Sequence, residues 1–147
     1  MPVPYLASRL KACSGVLVDS NILLDIATND ADWADWSARA LADCAEHTTL
    51  VINPIVYAEV SVGYSTIESL DSALPRHLYQ RAQLPWEAGF LAGKVFVAYR
   101  RRGGTRPTPL PDFYIGAHAA VDRLALLTRD SSRYSTYFPT VEVLSPR

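Results

Sequence analysis

The sequence predicts an α/β protein, in which a mostly parallel, twisted sheet of four to five strands lies between layers of helices. Short apolar segments rich in β-branched residues alternate with amphipathic helical patterns, and this alternation is typical of right-handed βαβ units. The first such segment, residues 16–18, is apolar at every position, as in strands of parallel sheets that are buried on both faces. A chain of 147 residues that is 49% hydrophobic is large enough for one domain over residues 1–147.

The strands are marked by apolar runs that end in polar or turn residues. Three of them are clear, a fourth is short, and one is ambiguous between strand and loop. In chain order we expect strands at residues 16–18, 49–52, 78–84 (the ambiguous one), 124–128 and 141–144.

The helices are marked by apolar residues at helical spacing and by capping residues. Asn53-Pro54 is an N-cap followed by proline at the first helical position, and Ser65 with Glu68 fits a capping box. A Gly- and Pro-rich loop over residues 103–111 is the only long irregular stretch in mid-chain. We expect helices from residue 21 or 22 to 26, at 31–47, at 54–62, at 65–74, at 85–102 and from 111 onward.

Composition excludes several classes of protein. The net charge of −1 gives no global field that would attract a polyanion, so contact with nucleic acid would need a local basic patch or a metal ion. The two cysteines, Cys13 and Cys44, match no zinc pattern and are expected to be reduced. No apolar run is long enough for a membrane span and no signal peptide is apparent, so we expect a cytoplasmic protein without membrane contact.

Four acidic residues from distant parts of the chain are predicted to meet at one edge of the sheet. Asp19 and Asp130 follow the first and fourth of the five predicted strands, and carboxyl ends of parallel strands share an edge. Asp112 opens a helix that runs antiparallel to the strands, so its first turn lies at the same edge. Glu59 lies about six residues into a helix, roughly 9 Å below the rim, a distance that its long side chain partly recovers.

Such clustered carboxylates repel one another unless a cation neutralises them. Oxygen ligands favour Mg²⁺ or Mn²⁺ over Zn²⁺, and a water on such an ion becomes a nucleophile near neutral pH. Ser20, Asn21 and Thr128 are placed to hydrogen-bond these carboxylates and fix their orientation. An Asp after a strand, taken alone, is more often a helix N-cap than a metal ligand. A receiver-like signalling module that binds Mg²⁺ also collects acids at strand ends.

Four segments of the chain are weak motifs alone, but their order and spacing are specific. They are VLVDSNILLD at 16–25, NPIVYAEV at 53–60, LPDFYIGAHA at 110–119, and LTRD at 127–130 with RY at 133–134 and YFP at 137–139. Together they resemble the segments of a known nuclease family, the PIN domains, and in particular the VapC-type toxins.

The resemblance implies a PIN fold, a three-layer α/β/α sandwich, and endonucleolytic cleavage of RNA that depends on Mg²⁺ or Mn²⁺ and inhibits translation or growth. It assigns Asp19, Glu59, Asp112 and Asp130 as the acidic quartet. It also implies a homodimer or a toxin–antitoxin hetero-oligomer, with a cognate VapB-type antitoxin whose tail occupies the acidic groove and which alone would contact DNA. A PIN nuclease of RNA processing without an antitoxin is the alternative within the family.

The remaining charged and polar residues are open between functional and structural roles. The basic cluster, Arg100, Arg101, Arg102 and Arg106, fits RNA phosphates or the acidic tail of an antitoxin equally well. Arg129 and Arg133 fit RNA contact or ion pairs. We expect Asp25 on a helix surface or in a salt bridge, and His118 in packing or an interface rather than in catalysis.

Overall fold

Five parallel strands form one sheet in the computed structural model, which describes residues 3–146. The strand order across the sheet is β3-β2-β1-β4-β5, and all four neighbouring pairs are parallel. The predicted α/β class and parallel sheet are therefore confirmed. The strands are β1 (Val16–Val18), β2 (Leu50–Ile52), β3 (Tyr79–Arg81), β4 (Ala125–Leu127) and β5 (Val143–Leu144).

The three central strands form the middle of the core. Every residue of β1, β2 and β4 is buried, as predicted from their wholly apolar sequences. The edge strand β3 alternates instead, with Tyr79 buried and Gln80 exposed. The ambiguous segment at 78–84 thus contains a strand of three residues, the same length as β1, β2 and β4.

Eight helices surround the sheet within residues 3–146. They follow the predicted order, apart from the two short helices α1 and α8, which the sequence did not predict. They are α1 (Leu6–Arg9), α2 (Ser20–Ala27), α3 (Ala34–His47), α4 (Pro54–Ser61), α5 (Ile67–Ala73), α6 (Trp86–Arg101), α7 (Pro111–Asp122) and α8 (Ser132–Tyr137).

Local capping chemistry explains two helix starts. The Asn53 side chain accepts a hydrogen bond from the backbone N–H of Val56 at 2.9 Å, so α4 begins where the sequence predicted. The predicted cap of α5 was wrong by one residue. Thr66, not Ser65, accepts from the backbone N–H of Ser69 at 3.1 Å, because either of two adjacent hydroxyl residues can serve as the cap.

The strand order places a topological switch point between β1 and β4. The chain leaves β1 toward β2 on one side, and it leaves β4 toward β5 on the other side. Right-handed connections that step in opposite directions carry their helices to opposite faces of the sheet and leave a crevice at the carboxyl ends of the two strands. The residues that follow β1 and β4 therefore line this crevice.

None of the helices within the described residues 3–146 has the length and apolar character needed to cross a membrane.

Candidate metal centre and acidic site

Asp19 lies in the crevice at the switch point and is buried, with 4% of its surface exposed. Its backbone N–H continues the sheet by donating to the carbonyl of Leu127 at 2.9 Å, which fixes its position beside β4. Three donors point at its carboxylate: the backbone N–H of Ser20 at 2.7 Å, the Thr128 hydroxyl at 2.8 Å and the Tyr134 hydroxyl at 3.1 Å. A buried carboxylate needs such partners, and here they come from both sides of the crevice.

Glu59 reaches the same site from α4. The Ser20 hydroxyl donates to Oε1 of Glu59 at 2.9 Å and lies 3.5 Å from Oδ1 of Asp19. A single hydroxyl therefore spans the gap between the two carboxylates. This contact explains how a residue one and a half turns into a helix takes part in a site at the rim of the sheet.

Asp112 occupies the first turn of α7 and forms an ion pair with Arg133 of α8, with Nη1 3.0 Å from Oδ2. Both side chains are about one third exposed, so the pair is partly screened by solvent. Of the two alternatives for Arg133, the structure shows an ion pair, and that pair involves one of the predicted site acids.

The three carboxylates influence one another electrostatically. Burial raises the pKa of Asp19, and the negative charge of Asp112 raises it further, against hydrogen bonds from Thr128, Ser20 and Tyr134 that lower it. Burial likewise raises the pKa of Glu59, as do the charges of Asp19 and Asp112, while the Ser20 hydroxyl lowers it. The structure thus brings Asp19, Glu59 and Asp112 into one electrostatic cluster.

Asp130 is exposed two residues after Thr128, and its charge is not among those that shift the pKa of Asp19 or Glu59, so the structure does not bring it into this cluster. Its side chain accepts a hydrogen bond from the Ser132 hydroxyl at 3.1 Å, and its backbone N–H donates to the Thr128 hydroxyl oxygen at 3.1 Å. Its charge acts on the neighbouring Arg129, whose pKa it helps to raise after the larger effect of Asp25.

The donor chemistry of the cluster fits a hard divalent cation, because its polar atoms are carboxylate and hydroxyl oxygens and its carboxylates are mutually repulsive. The side chains are not drawn together as a closed ligand cage. Within residues 3–146, no three His, Cys, Asp or Glu side chains are close enough together to hold an ion. Asp112 is instead turned toward Arg133.

Asn21 and Thr128 connect the cluster to the loop after β4. The Asn21 amide donates to the Thr128 hydroxyl oxygen at 3.2 Å and accepts from the backbone N–H of Arg129 at 3.1 Å. Thr128 is fully buried. Thr128 therefore hydrogen-bonds a site carboxylate as the sequence suggested. Asn21 contacts none of the site carboxylates among residues 3–146 and instead supports Thr128 and the backbone of Arg129.

Tyr134 is the site residue that the sequence reasoning missed. Its hydroxyl reaches Asp19, its side chain is only 2% exposed, and burial together with Asp19 and Asp112 raises its pKa far above the usual range, so it remains a donor. Tyr134 and Phe138, four residues apart, are the buried residues at this turn. That i, i+4 pair was a detectable signal of a short inward-facing helix.

Arg129 is held in a structural ion pair. Its Nε and Nη2 donate to the two oxygens of Asp25 at 2.8 and 2.9 Å, and its guanidinium lies 5.3 Å from the centroid of the Trp33 ring. Asp25 is 3% exposed and also accepts from the Ser37 hydroxyl. The prediction that Asp25 lies on the helix surface is wrong, and the salt-bridge alternative is confirmed for both residues.

The basic cluster lies at the end of α6 and in the loop that leads to Asp112. All four of its arginines are exposed: Arg100, Arg101, Arg102 and Arg106. The guanidinium of Arg100 donates to the carbonyl of Arg106 at 2.7 Å, and that of Arg102 lies 5.1 Å from the centroid of the Tyr137 ring. These contacts leave most of the guanidinium donors free for an anionic partner.

His118 and the two cysteines have structural surroundings, as expected. His118 is fully buried, with Nδ1 3.0 Å from the Asn53 amide and Nε2 3.0 Å from Asp122. Cys13 and Cys44 are both free thiols.

Comparisons with known proteins agree with this architecture. Residues 16–138 match the family model described as PIN domain. No curated protein matches the chain significantly.

Solved structures with a similar fold include several toxin–antitoxin complexes. VapBC2 from Rickettsia felis, bound to a DNA fragment from its promoter, has a TM-score of 0.69 at 18% identity, covering 90% of this chain and 98% of that one. A toxin–antitoxin complex from Klebsiella pneumoniae has a TM-score of 0.66 at 22% identity, with coverage of 90% and 98%. VapBC-1 from nontypeable Haemophilus influenzae has a TM-score of 0.66 at 19% identity, with coverage of 88% and 96%.

Proposed function

The chain belongs to the PIN domain family, a family of nucleases, and from its acidic site we propose that it is an endoribonuclease that uses Mg²⁺ or Mn²⁺ and acts in the cytoplasm as the toxin of a toxin–antitoxin module. The observation that carries the proposal is the convergence of three carboxylates from separate segments, Asp19, Glu59 and Asp112, in a crevice at strand ends, where burial and the negative charge of Asp112 raise the pKa of both Asp19 and Glu59. The family match also argues against the receiver-like alternative.

The acids would hold the cation, with Asp19 and Asp112 as the most direct ligands and Glu59 and Asp130 completing the set. A bound Mg²⁺ or Mn²⁺ would supply a lowered pKa for a water molecule and neutralisation of the charge that develops on the phosphate. The protein's own part is orientation. Thr128, Tyr134 and the Ser20 backbone hold Asp19 in one rotamer, so the site is built before substrate arrives.

Arg133 would change partners when the site is loaded. Its ion pair with Asp112 is partly exposed, so it costs little to break in exchange for a cation or a substrate phosphate. Arg100, Arg101, Arg102 and Arg106 would contact the RNA backbone, since arginine binds phosphate without reading sequence.

An antitoxin partner is proposed from the similar structures, which are toxin–antitoxin complexes. In this proposal a small VapB-type protein covers the acidic crevice, its acidic tail pairs with the exposed arginines of the basic cluster, and it alone contacts DNA. The toxin would be a homodimer or part of a hetero-oligomer. Its cleavage of RNA would inhibit translation or growth.

The direct test is RNA cleavage by the purified chain. We expect cleavage with Mg²⁺ or Mn²⁺, none with EDTA, and a loss of at least about 100-fold in rate for Asp19→Asn and for Asp112→Asn, the scale of losing one positioned electrostatic group. Asp35→Asn is the matched control, because Asp35 is exposed on α3 and takes part in none of the hydrogen bonds of the acidic site. Unchanged cleavage by the two site variants would show that the site is assigned wrongly.

The toxin role is tested separately from the nuclease activity. Induced expression of the wild-type chain should arrest growth and reduce protein synthesis, whereas the Asp19→Asn chain should do neither. A short neighbouring gene whose product binds the chain and restores growth would support the module. Cleavage without growth arrest and without such a gene would favour the alternative of a PIN nuclease in RNA processing.

A further inference from the structure

A second cavity opens at the same edge of the sheet, on the side of α4 away from the acidic cluster. It has a volume of about 240 Å³ and lies beyond the carboxyl ends of β2 and β3. Asn53 and Tyr57 line one side, and Arg81 and Gln83 line the other. None of these four residues belongs to the acidic site described above.

The register of the sheet places this cavity next to Asp19. Leu17 pairs with Val51, and Ile52 pairs with Arg81. Continuing both registers puts Asp19, Asn53 and Ala82 at equivalent heights in three neighbouring strands. Strands are about 4.8 Å apart, so the cavity begins one strand spacing from the acidic cluster. A nucleic-acid strand that crosses the sheet edge at Asp19 would reach it with an adjacent nucleotide.

The cavity has a rigid aromatic wall. The Tyr57 hydroxyl donates to Oδ1 of Asp71 at 2.7 Å, and Nη2 of Arg81 donates to the same oxygen at 2.8 Å. The Arg81 guanidinium lies 4.9 Å from the centroid of the Tyr57 ring. One carboxylate therefore holds an aromatic ring and a guanidinium plane together, so neither loses much conformational freedom when a ligand binds.

Two polar groups on this wall have no hydrogen-bond partner among residues 3–146. The Nε atom of Arg81 is one of them, and because it is also buried, a ligand acceptor would reach it only as the neighbouring side chains adjust to a bound ligand. Gln83 is exposed, and its amide offers both a donor and an acceptor. The Asn53 amide is already used, because its oxygen binds the Val56 N–H and its nitrogen binds His118.

We propose that this cavity is a base-binding subsite, which holds one nucleobase of the RNA strand beside the scissile phosphate and gives the cleavage its base preference. The inference rests on the proposed nuclease function. Single-stranded RNA is read by stacking of bases on aromatic rings and arginine planes and by hydrogen bonds to base edges, and both kinds of group are present here. A phosphate fits less well, because the charge of Arg81 is already balanced by Asp71.

A binding experiment tests the subsite without nuclease activity. The metal-free, ¹⁵N-labelled chain is titrated with the four nucleoside 5′-monophosphates and, separately, with ribose 5-phosphate, following the Arg81 Nε–H and the Gln83 side-chain amide. We expect at least one nucleotide to shift both signals and ribose 5-phosphate to shift neither. Equal shifts with ribose 5-phosphate would reveal a phosphate site instead, and no shift with any nucleotide would overturn the proposal.

A cleavage experiment tests the predicted specificity. A randomised RNA is cut by the wild-type chain, by Arg81→Lys, which keeps the positive charge opposite Asp71 but lacks Nε, and by Gln83→Ala. We expect each variant to change the relative cleavage rates of the four bases at one position near the cut by about tenfold, the scale of one polar recognition contact.

Gln80→Ala is the matched control, since Gln80 is an exposed glutamine on β3 outside the cavity, and it should reproduce the wild-type profile. If the wild-type chain cleaves RNA and the Arg81 and Gln83 variants share its profile, the subsite is refuted while the nuclease function stands. If the wild-type chain cleaves no RNA, the proposed function fails, and the nucleotide titration still decides whether the cavity binds a base.

Discussion

Replacing Tyr134 with phenylalanine tests how the acidic site is held together. Tyr134 is buried, with 2% of its surface exposed, and the substitution removes its hydroxyl while keeping its ring. The hydroxyl donates to Oδ2 of Asp19 at 3.1 Å, so its loss removes one of three donors to that carboxylate. The other two donors to Asp19 belong to Ser20 and Thr128, which the substitution does not change.

The expected loss of stability is about 1.5 kcal/mol at pH 7. A hydrogen bond to a charged acceptor contributes about 1.5–3 kcal/mol, and the lower end applies because Asp19 keeps two donors. Those donors, the Ser20 N–H at 2.7 Å and the Thr128 hydroxyl at 2.8 Å, are the closer ones. For a chain of this length the loss corresponds to a fall of about 3–6 °C in Tm.

The effect of Tyr134→Phe on stability and on cleavage depends on pH in a direction that follows from the pKa of Asp19. Burial is the main cause that raises the pKa of Asp19 in the folded chain above its value in the unfolded chain. Ionised Asp19 therefore opposes folding, and the stability that it costs grows as the pH rises from the unfolded pKa through the folded pKa. The Tyr134 hydroxyl is one of the groups that lower this pKa. Tyr134→Phe should therefore raise it further, move the acid limb of the cleavage–pH profile to higher pH, and cost least stability at acidic pH, where Asp19 is protonated.

Urea unfolding at pH 7 and pH 5 and the cleavage–pH profile measure these effects. Tyr137→Phe is the matched control on the same helix, since its ring packs against Phe113 with centroids 5.6 Å apart and its ring is kept. We expect that control to cost less than about 0.5 kcal/mol and to leave the profile in place. Equal effects of the two variants, or an unmoved acid limb in Tyr134→Phe, would refute the assigned role of the hydroxyl.

Three further predictions concern charge and packing. Asp25→Ala should lower the free energy of unfolding in urea by about 2–3 kcal/mol, because it leaves the guanidinium of Arg129 without its buried partner. A double-mutant cycle with Arg129→Ala should show coupling between the two residues, and additive losses would argue against the pair. Glu59→Gln keeps an acceptor for the Ser20 hydroxyl and removes the negative charge of a carboxyl group whose pKa is raised by burial. It should therefore stabilise the chain by about 0.5 kcal/mol at pH 7, and this gain should fade as the pH falls through the pKa of Glu59. Thermal unfolding that shows no gain at pH 7 would contradict it. Gly116→Ala places a methyl group against the ring of Phe138 and should cost about 1–3 kcal/mol, seen as a Tm lower by several degrees; an unchanged Tm would mean that the ring moves freely.

The parts of the site that sequence reasoning anticipates are those set by strand ends. Apolar runs that stop at Asp19 and at Thr128 define two strand termini, and parallel pairing brings them to one edge without any knowledge of side chains. The Asn53-Pro54 helix start is anticipated for the same reason, since capping depends only on neighbours within four residues. These features are local or follow from strand direction.

The parts that sequence reasoning misses are contacts between side chains distant in the chain. Arg129 and Asp25 are separated by 104 positions, and Tyr134 and Asp19 by 115. No periodicity marks such pairs, so Arg129 remained open between RNA contact and an ion pair, and Tyr134 was overlooked. The position of Glu59 was anticipated only in part, because its link to Asp19 depends on the rotamer of the Ser20 hydroxyl.

The strand order explains why a costly group is tolerated at this place. β1 and β4 are direct neighbours, and their connections step away in opposite directions, which leaves a crevice at their carboxyl ends. The polar groups of both strand ends must therefore satisfy one another, and Thr128 does this by donating to Asp19 while accepting from Asn21. Since the same bonds orient Asp19, the network that offsets the desolvation of the carboxylate also fixes it in the geometry that the proposed chemistry needs.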